Sequence, residues 1–162
     1  MVHEIDKSAV VTAVNEAYTQ YAKTTEGQNA SYIPYLKNIP PSLFGISVCM
    51  ADGERIEVGD TGYRFGIESV SKVPTAILAM KQHGTQTVMK KIGADATGLP
   101  FNSIIAILLE NDHPSTPLVN AGAITACSMI APTGNSDAKW LAIKGFVESL
   151  CGSAVEVIDE LY

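Results

Sequence analysis

The chain has 162 residues, enough for one domain with a substantial core, and its 46 % hydrophobic and 17 % charged content suits a compact globular protein. Eleven basic residues face 17 acidic ones for a net charge of −6, with no basic run, which disfavours nucleic acid and anionic membranes as partners. The first residues, Met1 to Asp6, carry no apolar signal core, and the longest aliphatic run, Ile104 to Leu109, is far too short to span a bilayer. Cys49, Cys127 and Cys151 are odd in number and widely spaced, with no C-x-x-C. They read as small buried residues in a reducing compartment, so a cytoplasmic protein is expected.

Val10, Val11, Val14, Ala17, Tyr18 and Tyr21 recur at helical spacing after Ser8 and predict an amphipathic helix. A polar stretch, Thr24 to Ser31, opens into Tyr32-Ile33-Pro34. Phe44, Ile46, Val48 and Met50 then alternate, Asp52-Gly53 signals a turn, and Ile56 and Val58 alternate again, so Phe44–Asp60 predicts a β-hairpin. A glycine-punctuated loop, Gly62 to Gly66, leads to a helix beginning around Ser69 and stopping at His83-Gly84. Short helices are expected at Thr87–Lys91 and, strongly apolar, at Asn102–Glu110. Asn120 to Ile130 is rich in Ala and Gly, as for a helix packed tightly in an interior. Trp140, Ile143, Val147 and Leu150 make a last helical face closed by Gly152. Two strands alone make a marginal sheet. Residues 1–162 therefore read as a single domain that is the front part of a larger fold.

Ser69-Val70-Ser71-Lys72 places a hydroxyl and an amine three residues apart at a helix start, hence on one face. A serine is a poor nucleophile until a base takes its proton, and a lysine amine neutralised by burial can be that base. This is the content of the S-x-x-K signature of acyl-enzyme hydrolases. Spacing alone is weak evidence, because Ser136-Asp137-Ala138-Lys139 repeats it. There the plain reading is an N-cap serine, an aspartate in the first turn and a solvated lysine. His3, His83 and His113 lie too far apart in sequence to suggest a metal site, and His113 reads as a helix-end residue. No glycine pattern has nucleotide-binding spacing, so no cofactor is expected.

The flanking residues carry a resemblance. Tyr63-Arg64-Phe65-Gly66-Ile67-Glu68-Ser69-Val70-Ser71-Lys72 resembles the nucleophile segment of the serine-dependent glutaminases of bacteria and animal mitochondria. Gly98-Leu99-Pro100-Phe101-Asn102-Ser103 is similar to that family's loop before its central helix. Pro117-Leu118-Val119-Asn120-Ala121-Gly122-Ala123-Ile124 resembles its most recognisable block, and Tyr32-Ile33-Pro34 fits its tyrosine near the pocket mouth. Ala96-Thr97-Gly98 departs from the family's usual Pro-Ser-Gly.

The resemblance implies an α+β fold like penicillin-binding proteins and serine β-lactamases, a helical region packed on an antiparallel sheet, here incomplete. It implies hydrolysis of the side-chain amide of L-glutamine to L-glutamate and ammonia. Ser69 would attack, Lys72 would take and return the proton, and the Ser69 N–H would form half of an oxyanion hole. Asn120 would bind the amino-acid part of the substrate, unless it merely caps its helix; Tyr32 would sit at the entrance, unless it is a core lid. Family members supply a glutamate, a further asparagine and two tyrosines from a later segment, so the 162-residue chain is expected to have little activity alone. Two alternatives stay open. Another serine hydrolase of this fold should show Ser-Asp-Asn and Lys-Thr-Gly elements; the chain has neither, though the second would normally lie in the later segment. A non-catalytic fragment would associate through its hairpin edge and exposed helix faces, and a homo-oligomer is expected on the same ground.

Overall fold

The computed structural model describes residues 5–96, 98–109 and 111–161. It divides into two compact units, one running to Gly66 and regaining the chain from Ile158, the other spanning Ile67–Val157.

In the first unit, α1 (Lys7–Tyr21) starts from Asp6, whose carboxylate accepts from the Ser8 N–H at 2.9 Å and the Ala9 N–H at 3.4 Å. The cap therefore lies two residues before Ser8. The helix buries Val14 and half-buries Val10, Ala17 and Tyr18, while Val11 and Tyr21 of the expected face stay exposed. The hairpin forms as its alternation requires: β1 (Gly45–Cys49) pairs antiparallel with β2 (Arg55–Gly59), Ile46 opposite Val58 and Val48 opposite Ile56. These four apolar residues are the half-buried positions of their strands, in contact with α1, and Tyr18 stacks on Phe44 with centroids 5.6 Å apart. The turn closes through Met50 N–H to the Glu54 carbonyl at 2.8 Å and Glu54 N–H to Asp52 Oδ1 at 3.0 Å. A short α2 (Pro34–Lys37) contacts a 3₁₀ turn at Asp159–Leu161.

The second unit is helical. A 3₁₀ turn (Glu68–Ser71) runs directly into α3 (Lys72–His83), which ends where Gly84 adopts φ 80°. Then follow α4 (Thr85–Met89), α5 (Ile104–Leu109), α6 (Asn120–Met129) and α7 (Ser136–Cys151). The core joins Leu78 and Ala79 of α3, Val88 of α4, Ile92, and Ala126, Met129 and Ile130 at the end of α6. Small residues on α6 permit this closeness: a Cβ on Gly122 would overlap the Thr116 carbonyl, so only glycine fits there.

Several expectations need correction. The core-facing side of α7 is Ala142, Ile143, Phe146 and Val147, while Trp140 and Leu150 are exposed. The N-cap of α7 is Asn135, whose Oδ1 accepts from the Ala138 N–H at 2.9 Å, and Ser136 is the first helical residue. The half-buried Lys139 also reaches back with its amine to the Ser128 carbonyl at 2.8 Å, at the C-terminal end of α6. Helix α5 is apolar as read, yet only Ala106 is buried and Ile104, Ile105, Leu108 and Leu109 are exposed. All three cysteines are exposed, because Cys49 sits on the outward positions of β1 and the others on outer helix positions. Partial desolvation still pushes the Cys127 thiol up, with the Lys139 ammonium opposing it.

Candidate active site

Ser69 is exposed and lies inside the 3₁₀ turn, rather than in the first turn of an α-helix. The Lys72 N–H donates to the Ser69 carbonyl, an i to i+3 bond. Such a turn has three residues per revolution, so positions i and i+3 eclipse, and Ser69 and Lys72 share one side. Glu68, immediately before, has φ 45°, in the left-handed region that residues with a Cβ avoid. Its carbonyl accepts from the Ser71 hydroxyl at 2.6 Å, so that serine serves the turn. Ser69's own N–H belongs to the first turn, where N–H groups have no intrahelical acceptor.

The half-buried Lys72 side chain points at α6. Its Nζ donates to Asn120 Oδ1 at 2.6 Å and to the Leu118 carbonyl at 3.3 Å, and lies 5.5 Å from the Phe101 ring centroid. Asn120 is not the cap of α6: Val119 is, without a side-chain hydrogen bond, and Asn120 is the first helical residue. Its amide oxygen is thereby committed to the lysine, while its backbone N–H donates to the Phe101 carbonyl at 2.9 Å. Three sequence-distant segments thus converge on one amine within the second unit: the start of α3, the start of α6, and the loop before α5.

Of the residues singled out from sequence, Ser69, Lys72 and Asn120 fall in this one unit, and Lys72 and Asn120 are in direct contact. Tyr32 belongs to the first unit, just ahead of α2, with its side chain 76 % exposed, which does not fit a core lid. His113 Nε2 lies 3.3 Å from the Lys90 carbonyl at the end of α4, and His83 Nε2 lies 2.6 Å from the Met129 carbonyl ending α6. Both occupy helix ends. Among the described residues no cluster of three or more His, Cys, Asp or Glu is placed to hold a metal, and no helix is long and apolar enough to cross a membrane. Two parts of the site had no assigned role in the sequence reading. The Leu118 carbonyl is backbone and has no residue-type signature; Phe101 lay inside the Gly98–Ser103 segment, but nothing in its spacing links it to Lys72.

Comparison with known proteins places the chain in a family. Residues 27–162 match the family model for glutaminase. A glutaminase of Parabacteroides distasonis is 63 % identical over 162 residues, covering 98 % of this chain and 50 % of its own length. One from Bacteroides thetaiotaomicron is 68 % identical over 149 residues, covering 92 % and 46 %. Among solved structures, the probable glutaminase ybaS superposes with a TM-score of 0.89 at 45 % identity, covering 96 % of this chain and 50 % of that one. A probable glutaminase from Bacillus subtilis, complexed with 6-diazo-5-oxo-L-norleucine, superposes with a TM-score of 0.73 at 27 % identity, covering 99 % and 47 %. The chain therefore spans about half the length of the relatives it matches. Its helices and antiparallel hairpin are part of the α+β, β-lactamase-like architecture those relatives have. By family model, by identity and by fold, this chain belongs to the glutaminase family.

Proposed function

We propose that the full-length protein carrying this segment hydrolyses the side-chain amide of L-glutamine through an acyl-enzyme on Ser69. The Ser69 oxygen attacks the amide carbon while Lys72 accepts the hydroxyl proton. Collapse of the tetrahedral adduct breaks the C–N bond, and the same proton leaves with nitrogen as ammonia. Lys72 then takes a proton from the water that attacks the ester and gives it to the Ser69 oxygen as the C–O bond breaks, and glutamate departs. The Ser69 N–H is one donor to the oxyanion. Asn120 binds the amino-acid end through its NH₂, which its contact with Lys72 leaves free to donate.

One observation carries this reading above the others: the Lys72 amine, three residues after Ser69, donates at 2.6 Å to Asn120, a polar residue of the segment that resembles the family most closely. The second S-x-x-K lacks any such arrangement, since Lys139 is committed to helix carbonyls.

The isolated 162-residue polypeptide, by contrast, releases little glutamate. The exposed aliphatic side chains of α5 and the two-stranded sheet support this, and favour association with further chain or with another copy. The deciding experiment is glutamate release by full-length protein with Ser69→Ala and Lys72→Arg variants. Each should lose about 10²–10⁴-fold or more in kcat, because arginine keeps the charge but cannot accept a proton. Wild-type rates in either variant would sink the proposal. Covalent labelling by 6-diazo-5-oxo-L-norleucine, mapped by mass spectrometry, should fall on Ser69.

A further inference from the structure

We propose that Phe101 is a positioning residue that confines the Lys72 amine, an assignment that rests on the glutaminase reading of the site. The geometry is a closed triangle. Lys72 Nζ donates to Asn120 Oδ1 at 2.6 Å, the Asn120 N–H donates to the Phe101 carbonyl at 2.9 Å, and the Phe101 ring lies 5.5 Å from Lys72 Nζ. Each corner comes from a different segment, and each contact holds the other two.

The ordinary role of a phenylalanine is to fill a core, and this one does not. It stands outside the buried cluster of the second unit, which Ile92 and Ile130 anchor. A ring beside an amine adds a definite electrostatic surface to whatever it buries. The negative face of an aromatic ring attracts N–H groups and ammonium alike. It cannot take a proton, so it confines the amine without competing with Ser69 for its lone pair. That distinction matters for a lysine, whose four-carbon stem otherwise leaves the nitrogen mobile.

The loop is built to present this ring. The Ser103 N–H donates to the Pro100 carbonyl at 2.9 Å, and Ser103 Oγ accepts from the Ala106 N–H at 3.4 Å, anchoring the loop to α5. The Phe101 backbone is thus tied to α6 through its carbonyl and lies within a hydrogen-bonded turn that leads into α5.

The test compares Phe101→Leu with Phe101→Trp in the full-length protein. Leucine keeps much of the apolar volume without a π face; tryptophan restores the face. We expect Phe101→Leu to lower kcat about 5–10-fold with KM within about twofold, and Phe101→Trp to recover most of the loss. Thermal unfolding of both should stay near wild type. Independently of activity, the ε-methylene protons of Lys72, assigned through Lys72→Arg, should show an upfield ring-current shift that disappears in Phe101→Leu. An unchanged kcat in Phe101→Leu, a loss confined to KM, or a deficit that tryptophan fails to rescue overturns the proposal. So does the absence of the ring-current shift. An inactive wild type overturns the glutaminase reading instead, and is told apart because the ring-current shift remains.

Discussion

The Lys72 amine and the Asn120 amide oxygen, 48 residues apart in the chain, meet at 2.6 Å with each residue standing first in its helix. One hydrogen bond thus ties the starts of α3 and α6. An intramolecular hydrogen bond contributes about 1 kcal/mol net, so Asn120→Ala should lower unfolding free energy by about 1 kcal/mol in urea titrations. Asn120→Asp keeps an acceptor for the amine and should lose less stability. On the proposed role of Asn120, the full-length variant should still lose affinity for glutamine, because it removes the NH₂ donor.

Two glycines should respond to alanine with opposite signs. A Cβ on Gly122 meets the backbone carbonyl of Thr116, which cannot swing aside as a side-chain end could. Gly122→Ala should therefore destabilise by about 2–3 kcal/mol or more, the range of core overpacking. Gly145, inside α7, has nothing within 4 Å of its Cβ position. Gly145→Ala should stabilise by about 0.5–1 kcal/mol, since alanine loses less backbone entropy in a helix. Paired melting curves decide both.

The cap of α7 can be assigned by substitution. Asn135→Ala removes the acceptor of the Ala138 N–H and should cost about 1 kcal/mol. Ser136→Ala should be close to neutral, as that hydroxyl has only a 3.5 Å contact with Asp137. Equal losses at both positions would contradict the observed cap.

Glu148 predicts an acid limb in the stability curve. Hydrogen bonding from the Lys144 amine at 2.5 Å, then from the Val155 N–H at 3.1 Å, holds its carboxyl below the ordinary glutamate range. A carboxyl depressed in the folded state binds fewer protons folded than unfolded. Its stabilisation is therefore complete above the ordinary glutamate value of 4.5 and is lost as pH falls through the folded value. Glu148→Gln should flatten stability against pH in that acid window and leave the slope near neutrality unchanged.

How far the sequence revealed all this depends on the kind of signal. Alternation at Ile46, Val48, Ile56 and Val58 gave the hairpin register because each of these residues contacts one side only. The six aliphatic residues of α5 fixed a helix but no face, since a run without polar positions has no orientation to read. Asn135 and Ser136 are comparably good caps, and composition cannot choose between neighbours. In the candidate site, spacing singled out Ser69 and Lys72, and resemblance singled out Asn120. The Leu118 carbonyl and the Phe101 ring become partners only through the way α6 and the loop before α5 fold together. Glu68 gave no warning either, because its identity does not suggest a left-handed backbone.

That Glu68 torsion, φ 45°, has a dynamic consequence. An L-residue held there lies roughly 1–2 kcal/mol above its relaxed conformation and stays only while the surroundings insist. When heat or denaturant first loosens the grip of α3, the peptide ahead of Ser69 is the place that rebounds. The hydroxyl should lose its aim before the helices melt, and inactivation should precede the loss of circular dichroism.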